Sequence, residues 1–259
     1  MAARPNITII GKKGAGSQIT NGLTEAGYTV SLFDPASKGP ADGLELAVSN
    51  ADLVFALGSS AGPSRIAERL VALLREDALY ADLSTGTPAT KRQLAALFPD
   101  GMFADAVIVQ QDPVSADGLI MDLAGPAARR MIELLEPSGL TLRYVSEVPG
   151  EATARNLIRS LLAKGIAAAV IDCLWAAESM GMQSWAYQQI LEEFEGGSAE
   201  RAQQHLSGTA EHIKRRQIEI MDVVAMLNES GYESTMLPGI EFNYGRILHG
   251  KKIPFSKRP

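Results

Sequence analysis

Ile7-Thr8-Ile9-Ile10-Gly11-Lys12-Lys13-Gly14-Ala15-Gly16-Ser17 is the stretch of sequence that decides the fold. It begins as an apolar run of β-type residues, opens into a glycine-rich turn and continues into a helix-like segment, Gln18–Ala26. A second apolar run, Tyr28–Phe33, ends at Asp34. This order of strand, glycine turn, helix, strand and acid is typical of a dinucleotide-binding βαβ unit.

The glycine turn predicts a cofactor site because glycines let backbone N–H groups approach a pyrophosphate at a helix N-terminus. The acid at the end of the second strand can bond the ribose hydroxyls. The predicted cofactor-binding residues of this segment are Gly11, Lys12, Gly14, Ala15, Gly16, Ser17 and Asp34. The pattern reads G-x-x-G-x-G-S, and we assign Ser17 to the place of the third glycine. A glycine-rich turn in another kind of α/β protein is the alternative.

The choice of cofactor depends on Asp34, whose carboxylate would repel the 2′-phosphate of NADP and therefore favours NAD. Three lysines oppose this preference if any of them reaches a phosphate, namely Lys12, Lys13 and Lys38. They are equally well explained as solvated side chains, so NADP stays an alternative cofactor.

Composition indicates a soluble, cytoplasmic protein. The chain has 259 residues, 46% of them hydrophobic, and a net charge of −6, which argues against a nucleic-acid partner. There is no apolar run long enough to span a membrane, and the N-terminal residues lack the layout of a signal peptide. The single cysteine, Cys173, lies in an apolar helical stretch, where we expect a buried structural thiol.

The two halves of the chain have different periodicities. Up to residue 148, short apolar runs alternate with helical segments, which predicts a doubly wound, mainly parallel sheet of the Rossmann type. From Gly150 onward the pattern is helical, beginning with a long helix over Glu151–Met180. We therefore expect a dinucleotide-binding domain at residues 1–148 and a helical domain for dimerisation and substrate binding at residues 149–259.

Two further loops lie where strands are predicted to end, and such loops line the ligand crevice of a doubly wound sheet. One contains Gly58, Ser59 and Ser60, whose small size suits the nicotinamide half of a cofactor. The other is the segment Asp82–Pro88, in which Ser84 and Thr85 would face a substrate. The small residues of the first loop are explained equally well as ordinary loop composition. In the second loop, Thr87 and Pro88 are also explained as the N-cap and first turn of a helix.

The start of the long helix carries a cluster of polar side chains. These are Arg155, Asn156, Arg159 and Ser160, whose spacing allows them to share one broad helix face. A polar face at a predicted domain junction is a candidate substrate-binding surface, and solvent-exposed helix polarity is the equally weighted alternative.

These motifs resemble those of the β-hydroxyacid dehydrogenases, the superfamily of 6-phosphogluconate and 3-hydroxyisobutyrate dehydrogenases. The resemblance covers the glycine turn, the D-x-S-T-x-x-P motif that begins at Asp82, the Pro149–Gly165 helix start and the segment Ser207–His212. It implies that NAD or NADP binds the first domain, that the helical domain forms a homodimer, and that a small substrate binds between the domains.

Two departures from the family pattern concern the chemistry. Asn156 occupies the position of the family's catalytic lysine, and an amide cannot exchange a proton near neutral pH. The family's substrate loop of small residues is replaced by the apolar run Asp105–Gln111. Asn156 can still hydrogen-bond a carbonyl, hydroxyl or imine, and Arg159 can bind a carboxylate or phosphate.

The sequence therefore predicts an NAD(P)-dependent oxidoreductase that transfers hydride to or from a small polar substrate, with a hydroxy acid favoured. Its candidate catalytic residues are Asn156, Arg159, Ser84, Thr85 and His212, the last as a proton donor or, more commonly for a lone helical histidine, a structural residue. Imine reduction and nucleotide binding without redox activity are the alternatives. We expect no metal, nucleic acid or membrane partner.

Overall fold

The computed structural model describes residues 4–11, 15–35, 43–57, 63–110, 119–195, 197–253 and 256. The chain divides into two compact units, Met1–Ser160 and Leu161–Pro259. The division lies within one long helix, which starts in the first unit and continues into the second. The sequence-based domain limits, 1–148 and 149–259, remain a proposal.

The first unit is built on a seven-stranded sheet with the order β2-β1-β3-β4-β5-β6-β7. All neighbouring strands are parallel except β5 and β6, which are antiparallel. The strands are β1 Asn6–Ile10, β2 Thr29–Phe33, β3 Leu53–Ala56, β4 Leu79–Asp82, β5 Phe103–Gln110, β6 Ile120–Ala124 and β7 Thr141–Ser146. The predicted Rossmann-type fold is confirmed.

Helices cover both faces of this sheet. They are α1 Ala15–Glu25, α2 Gly43–Val48, α3 Pro63–Val71, α4 Pro88–Ala95, α5 Ala128–Leu135 and the first turns of α6 Glu151–Ser179. One core cluster contains Ile9 of β1 together with buried residues of α1 and α5. A second contains Ile10, the next residue of β1, together with buried residues of α2, α3 and α4. Successive residues of a strand point to opposite faces of the sheet, so Ile9 and Ile10 belong to different clusters. The sheet is therefore buried on both of its faces.

The second unit is helical. It contains the rest of α6 and the helices α7 Gln183–Phe194, α8 Ser198–Ser230 and α9 Leu237–Leu248. The long α8 helix is kinked at His212, where φ is −116° and ψ is 26°. Within the described ranges, no helix is both long and apolar enough to cross a membrane.

A buried carboxylate joins α6 to the connection between α8 and α9. Asp172 accepts hydrogen bonds from the hydroxyl groups of Tyr232, Ser234 and Thr235 and from the backbone N–H of Thr235. Ser234 in turn accepts backbone hydrogen bonds from Met236 and Leu237 at the start of α9. We call Asp172, Tyr232, Ser234 and Thr235 the hydroxyl anchor. It fixes the first turn of α9 without a cationic partner among the described residues.

The expectation for Cys173 is wrong. The side chain is exposed in this chain, whereas the preceding residue, Asp172, is buried. Adjacent residues on a helix point about 100° apart. Asp172 points inward toward its hydroxyl donors, so the side chain of Cys173 points away from them. The composition of the stretch predicted a helix but not which side of it faces inward.

Candidate functional site

The ends of four strands are aligned along one edge of the first unit. Backbone N–H groups just beyond the strands donate to the neighbouring strand: Gly11 to Phe33 O at 2.9 Å, Leu57 to Ile10 O at 2.9 Å and Leu83 to Ala56 O at 2.8 Å. The order of the strands reverses direction between β1 and β3, and ligands of doubly wound sheets bind at such a switch point. The predicted cofactor and substrate loops therefore follow strands that end on the same edge.

The glycine turn begins at Gly11, whose φ of 110° favours glycine. A Cβ atom added to Gly16 would lie 2.2 Å from the carbonyl oxygen of Gly11. Gly16 therefore permits the close helix–strand packing that the third glycine of a dinucleotide fingerprint provides. Assigning Ser17 to that role was wrong, because Gly11 and Gly16 have the spacing of the first and third glycines in G-x-G-x-x-G. Lys13 then occupies the place of the second glycine.

The acid and the helix of the predicted cofactor site lie at the same edge. Helix α1 begins at Ala15, directly after the turn, so its positive dipole end is available to a phosphate group. Asp34 follows Phe33, which is hydrogen-bonded to Gly11, and its side chain is half-buried. Five other predicted cofactor residues lie outside the described residues: Lys12, Gly14, Gly58, Ser59 and Ser60.

A cavity of about 400 Å³, which we call the strand-end pocket, lies beside this edge. Its lining comes from the ends of β3 and β4, from β5 and from the first turns of α6. The lining residues are Leu57, Leu83, Ser84, Thr85, Gly86, Ala106, Val107, Ile108, Thr153, Asn156 and Leu157. Three of the predicted catalytic residues, Ser84, Thr85 and Asn156, are therefore brought together, and all belong to the first unit.

A fully buried lysine lies under the loop that carries Ser84. The Lys91 Nζ atom donates to the carbonyl oxygens of Ser84 at 2.7 Å and Asp82 at 3.2 Å. It also lies 3.3 Å from Asp82 Oδ2 and 3.7 Å from Asp105 Oδ1. The Asp82 carboxylate further accepts hydrogen bonds from the backbone N–H and the hydroxyl of Ser84. The buried Lys91–Asp82 ion pair therefore holds in place the loop after β4, which forms one wall of the pocket.

The same ion pair extends to the start of α6. Asp105 accepts hydrogen bonds from the backbone N–H of Thr153 at 2.8 Å and from its hydroxyl at 2.6 Å. We call Asp82, Lys91, Asp105 and Thr153 the ionic anchor. Three residues of the anchor, Asp82, Lys91 and Asp105, are 0% exposed. The ionic anchor holds two walls of the pocket in a fixed relation, the β4 loop and the first turn of α6.

Asn156 and Arg159 interact on α6. Arg159 Nη2 donates to Asn156 Oδ1 at 3.2 Å, and Arg159 itself is outside the lining of the pocket. The neighbouring Arg155 is exposed and also lies outside the lining. His212 belongs to the second unit, where its Nε2 lies 3.8 Å from Glu211. Its role as a proton donor stays a prediction.

Sequence reasoning missed the ionic anchor. A partial signal for it was present, because Asp82 ends the apolar run of β4 and Asp105 interrupts the apolar run of β5. The structure shows that the two strands are adjacent and that the two acids are paired in register. Two buried carboxylates side by side require a cation. Lys91, one helical turn before the buried Leu94 on α4, was the available candidate. Among the described residues there is no cluster of acids, histidines and cysteines that could hold a metal ion.

Comparisons with known proteins support this architecture. No family model matches the chain. An uncharacterized 28.5 kDa protein of Methanothermus fervidus is 24% identical over 177 residues, which are 68% of each chain. An imine reductase variant from Myxococcus stipitatus, solved with NAD⁺, has a TM-score of 0.73 and 14% identity, over 97% of this chain and 96% of that one.

Two further solved structures extend the likeness. A reductive aminase from Aspergillus terreus, solved with NADPH and ethyl levulinate, has a TM-score of 0.70 and 14% identity, over 98% of this chain and 98% of that one. A conserved protein of unknown function, described as structurally similar to 3-hydroxyacid dehydrogenases, has a TM-score of 0.60 and 22% identity, over 94% and 97% of the chains. The chain has the β-hydroxyacid dehydrogenase-like fold. The resemblance expected from the sequence is confirmed for the fold.

Proposed function

We propose that the protein is an NAD(P)-dependent oxidoreductase that transfers hydride to or from a small substrate in the strand-end pocket. The observation that carries this proposal is the alignment of the Gly11–Gly16 turn and Asp34 with the strand ends that form the pocket. The cofactor would supply or accept the hydride. The structural neighbours solved with NAD⁺ and NADPH support the same assignment.

The described residues fit such a cofactor. The absence of a Cβ at Gly16 lets α1 approach the carbonyl of Gly11, and Gly11 adopts the positive φ that the turn of a dinucleotide fingerprint uses. The pyrophosphate would be held at the N-terminus of α1, and Asp34 would bind the ribose hydroxyls and favour NAD over NADP. Lys13, in the place of the second glycine, is the departure from the fingerprint.

The lining of the pocket determines what this chain does to its substrate. Ser84, Thr85 and Asn156 offer hydrogen bonds, and the remaining lining is mostly apolar. The buried Lys91 does not replace the family lysine, because its donors are directed at Ser84, Asp82 and Asp105 rather than at the pocket. The residues of the pocket therefore orient a polar group of the substrate, and a hydroxy acid is the substrate class that the family resemblance suggests.

A fluorescence titration of the full chain with NADH and NADPH tests the cofactor assignment. We expect binding, with NADH the tighter ligand because of Asp34. Gly16→Ala should weaken binding by about tenfold or more, since the added Cβ displaces α1 or the turn and a change of about 1.4 kcal/mol suffices. Gly245→Ala is the matched control, because nothing lies within 4 Å of a Cβ there. Absence of binding to either cofactor would refute the proposal.

The second candidate function is imine reduction, favoured by the imine reductase neighbours and by the amide at position 156. Turnover of cyclic imines without turnover of hydroxy acids would establish it. A nucleotide-binding protein without redox activity would bind the cofactor and turn over neither class. In that case Asn156→Ala would change no measurable rate.

We further propose that the protein forms a homodimer through its helical unit. Trp175, Trp185 and Phe242 are each more than half exposed in the single chain, which is unusual for large apolar side chains. Sedimentation velocity of the full chain should give a dimer, and Trp185→Glu should shift it toward the monomer. A monomeric wild-type protein would refute this part of the proposal.

A further inference from the structure

The orientation of the Asn156 amide can be assigned from its partner. Arg159 Nη2 lies 3.2 Å from Asn156 Oδ1, one turn away on the same helix. A guanidinium group has N–H donors and no acceptor, so only the oxygen of the amide can face it. The opposite end of the amide, Nδ2 with its two N–H groups, is then the end available to the strand-end pocket that Asn156 lines.

Two other hydroxyl groups of the pocket are already engaged. The hydroxyl of Thr153 donates to Asp105, and the hydroxyl of Ser84 donates to Asp82. The Asn156 amide is therefore a hydrogen-bond donor at the pocket, backed by the positive charge of Arg159. A group placed there gains most if it accepts a hydrogen bond and gains negative charge during the reaction.

The charge of the pocket restricts the substrate further. The described residues that line it include no acidic or basic side chain. A carboxylate bound in this apolar lining would lose its hydration without gaining a direct cationic partner from these described residues, because Arg159 lies outside the lining. A protonated imine would present its own N–H to the N–H groups of Asn156, which offer it no acceptor.

We propose that the substrate is an uncharged aldehyde or ketone whose oxygen is bound by Asn156 Nδ2, with Arg159 as the positioning residue. This inference rests on the proposed oxidoreductase function. The carbonyl carbon accepts the hydride with its two electrons from the reduced cofactor, which leaves oxidised. The C=O π bond becomes a C–O single bond, and the oxygen takes a proton from water, giving the alcohol. Asn156 stabilises the oxygen as its negative charge develops.

Steady-state kinetics with three probes of similar size test the substrate class: 2-pentanone, levulinate and 1-pyrroline. We expect kcat/KM for 2-pentanone to exceed that for levulinate and for 1-pyrroline by about tenfold or more, the ratio that 1.4 kcal/mol of selectivity gives. A preference for levulinate would overturn the neutral-substrate assignment, and a preference for 1-pyrroline would overturn the carbonyl assignment. Nucleotide binding without turnover of any probe would also overturn it.

Variants of the two residues test their roles. Asn156→Leu should lower kcat for 2-pentanone by about 100-fold, as loss of an oxyanion donor does, with nucleotide affinity unchanged. Arg159→Met should lower kcat by about tenfold, because the amide is then free to rotate, and Arg159→Lys should recover part of the loss. Arg155→Met is the matched control, since that exposed arginine is the neighbour of Asn156 and lies outside the pocket lining. Equal losses in Arg155→Met and Arg159→Met would overturn the positioning role.

Infrared spectroscopy gives a readout that does not depend on turnover. In a complex of the protein with oxidised cofactor and 2-pentanone labelled at the carbonyl carbon, a hydrogen bond from Asn156 lowers the C=O stretching frequency. We expect the lowered frequency in the wild type and in Arg155→Met, and its loss in Asn156→Leu. An unshifted band in the wild type would overturn the proposal even if the ketone is reduced. Failure of both reduced cofactors to bind would instead refute the underlying function.

Discussion

The ionic anchor and the hydroxyl anchor hold helix starts by two different kinds of chemistry. In the first unit, Lys91 lies between two fully buried carboxylates, and Asp105 holds the first turn of α6 through Thr153. In the second unit, Asp172 has hydroxyl and backbone donors, and Ser234 holds the first turn of α9. Each anchor makes a buried acid tolerable, but only the ionic anchor contains more than one buried charge.

The difference lies in what remains after one partner is removed. Loss of Lys91 would leave two carboxylates without a counter-charge inside the core, which costs far more than the ion pair itself contributes. Loss of one hydroxyl leaves Asp172 with its remaining donors. The ionic anchor is therefore nearly all-or-none, whereas the hydroxyl anchor weakens in steps. The substitutions below test this distinction.

Lys91→Met should have the largest effect. We expect it to destabilise the protein by about 3–5 kcal/mol, the usual cost of leaving a buried charge unpaired. Urea denaturation followed by circular dichroism measures this. Adding Asp105→Asn to Lys91→Met should recover part of the lost stability, because it removes one of the two buried carboxylates that have no counter-charge.

The control for Lys91 is an exposed ion pair of the same unit. Arg75 pairs with Asp52 at 3.2 Å and with Asp77 at 2.9 Å, and its side chain is 44% exposed. Arg75→Met should cost less than about 1 kcal/mol. Similar losses for Lys91→Met and Arg75→Met would mean that the buried lysine is not an essential counter-charge.

Asp172→Asn should have the next largest effect and should depend on pH. Burial alone would raise the pKa of Asp172, but hydrogen bonds from Ser234, Tyr232 and the backbone N–H groups of Thr235 and Met236 together lower it. A lowered native pKa stabilises the protein above the ordinary value of 3.8, and this is lost as the pH falls through the native pKa. The variant should be less stable by about 2 kcal/mol near neutral pH.

The pH dependence distinguishes this effect from a packing defect. The difference between wild type and Asp172→Asn should shrink below about pH 4, where the carboxyl group becomes protonated in the unfolded chain. Urea denaturation at about pH 7 and about pH 3 measures both values. A difference that stays constant with pH would show that the charge of Asp172 contributes nothing.

Thr153→Val tests the contribution of the one uncharged member of the ionic anchor. The substitution keeps the shape of the side chain but removes the hydroxyl donor to Asp105, while the backbone donor remains. We expect a loss of about 1.5 kcal/mol in urea denaturation, as for a hydrogen bond to a charged group. Thr141→Val, on an exposed position of β7, is the control and should be nearly neutral. A loss as large as that of Lys91→Met would contradict the distinction between charge and hydroxyl partners.

Tyr232→Phe should have the smallest effect, present near neutral pH and lost in alkali. Burial, together with the Asp172 carboxylate, raises the pKa of Tyr232 to about 12. Because the native pKa exceeds the ordinary value of 10.0, this tyrosine stabilises the protein below pH 10.0, and the stabilisation is lost as the pH rises toward about 12. Thermal unfolding should show a shallower alkaline decline for the variant. An identical slope for both proteins would contradict the hydrogen bond to Asp172.

Much of the fold was predictable because strands and helices here have strong local signals. Apolar runs such as Leu53–Ala56 sit between breakers, and Thr87 with Pro88 marks the start of α4 by its N-cap and first turn. The pocket was predicted in part for the same reason, since Ser84 and Thr85 follow directly from the end of β4. Local sequence fixes where a strand ends, and the sheet topology brings the ends together.

Features that depend on distant pairs were not predictable from local signals. The contact between Lys91 and Asp105 requires the register of β4 with β5, and the identity of the third fingerprint glycine requires the packing distance between α1 and β1. The orientation of Cys173 failed for a related reason, because the direction in which a helix faces is set by what packs against it. Spacing alone supports several answers to each of these questions.

The contact between Gly11 and Gly16 is also a guide for directed evolution. The position at 16 admits no side chain, so a library randomised there would return a single amino acid among folded, cofactor-competent members. The four residues between the two glycines carry no such steric limit from this contact. Diversity aimed at changing coenzyme preference therefore belongs at positions 12 to 15 and at Asp34, with both glycines held constant.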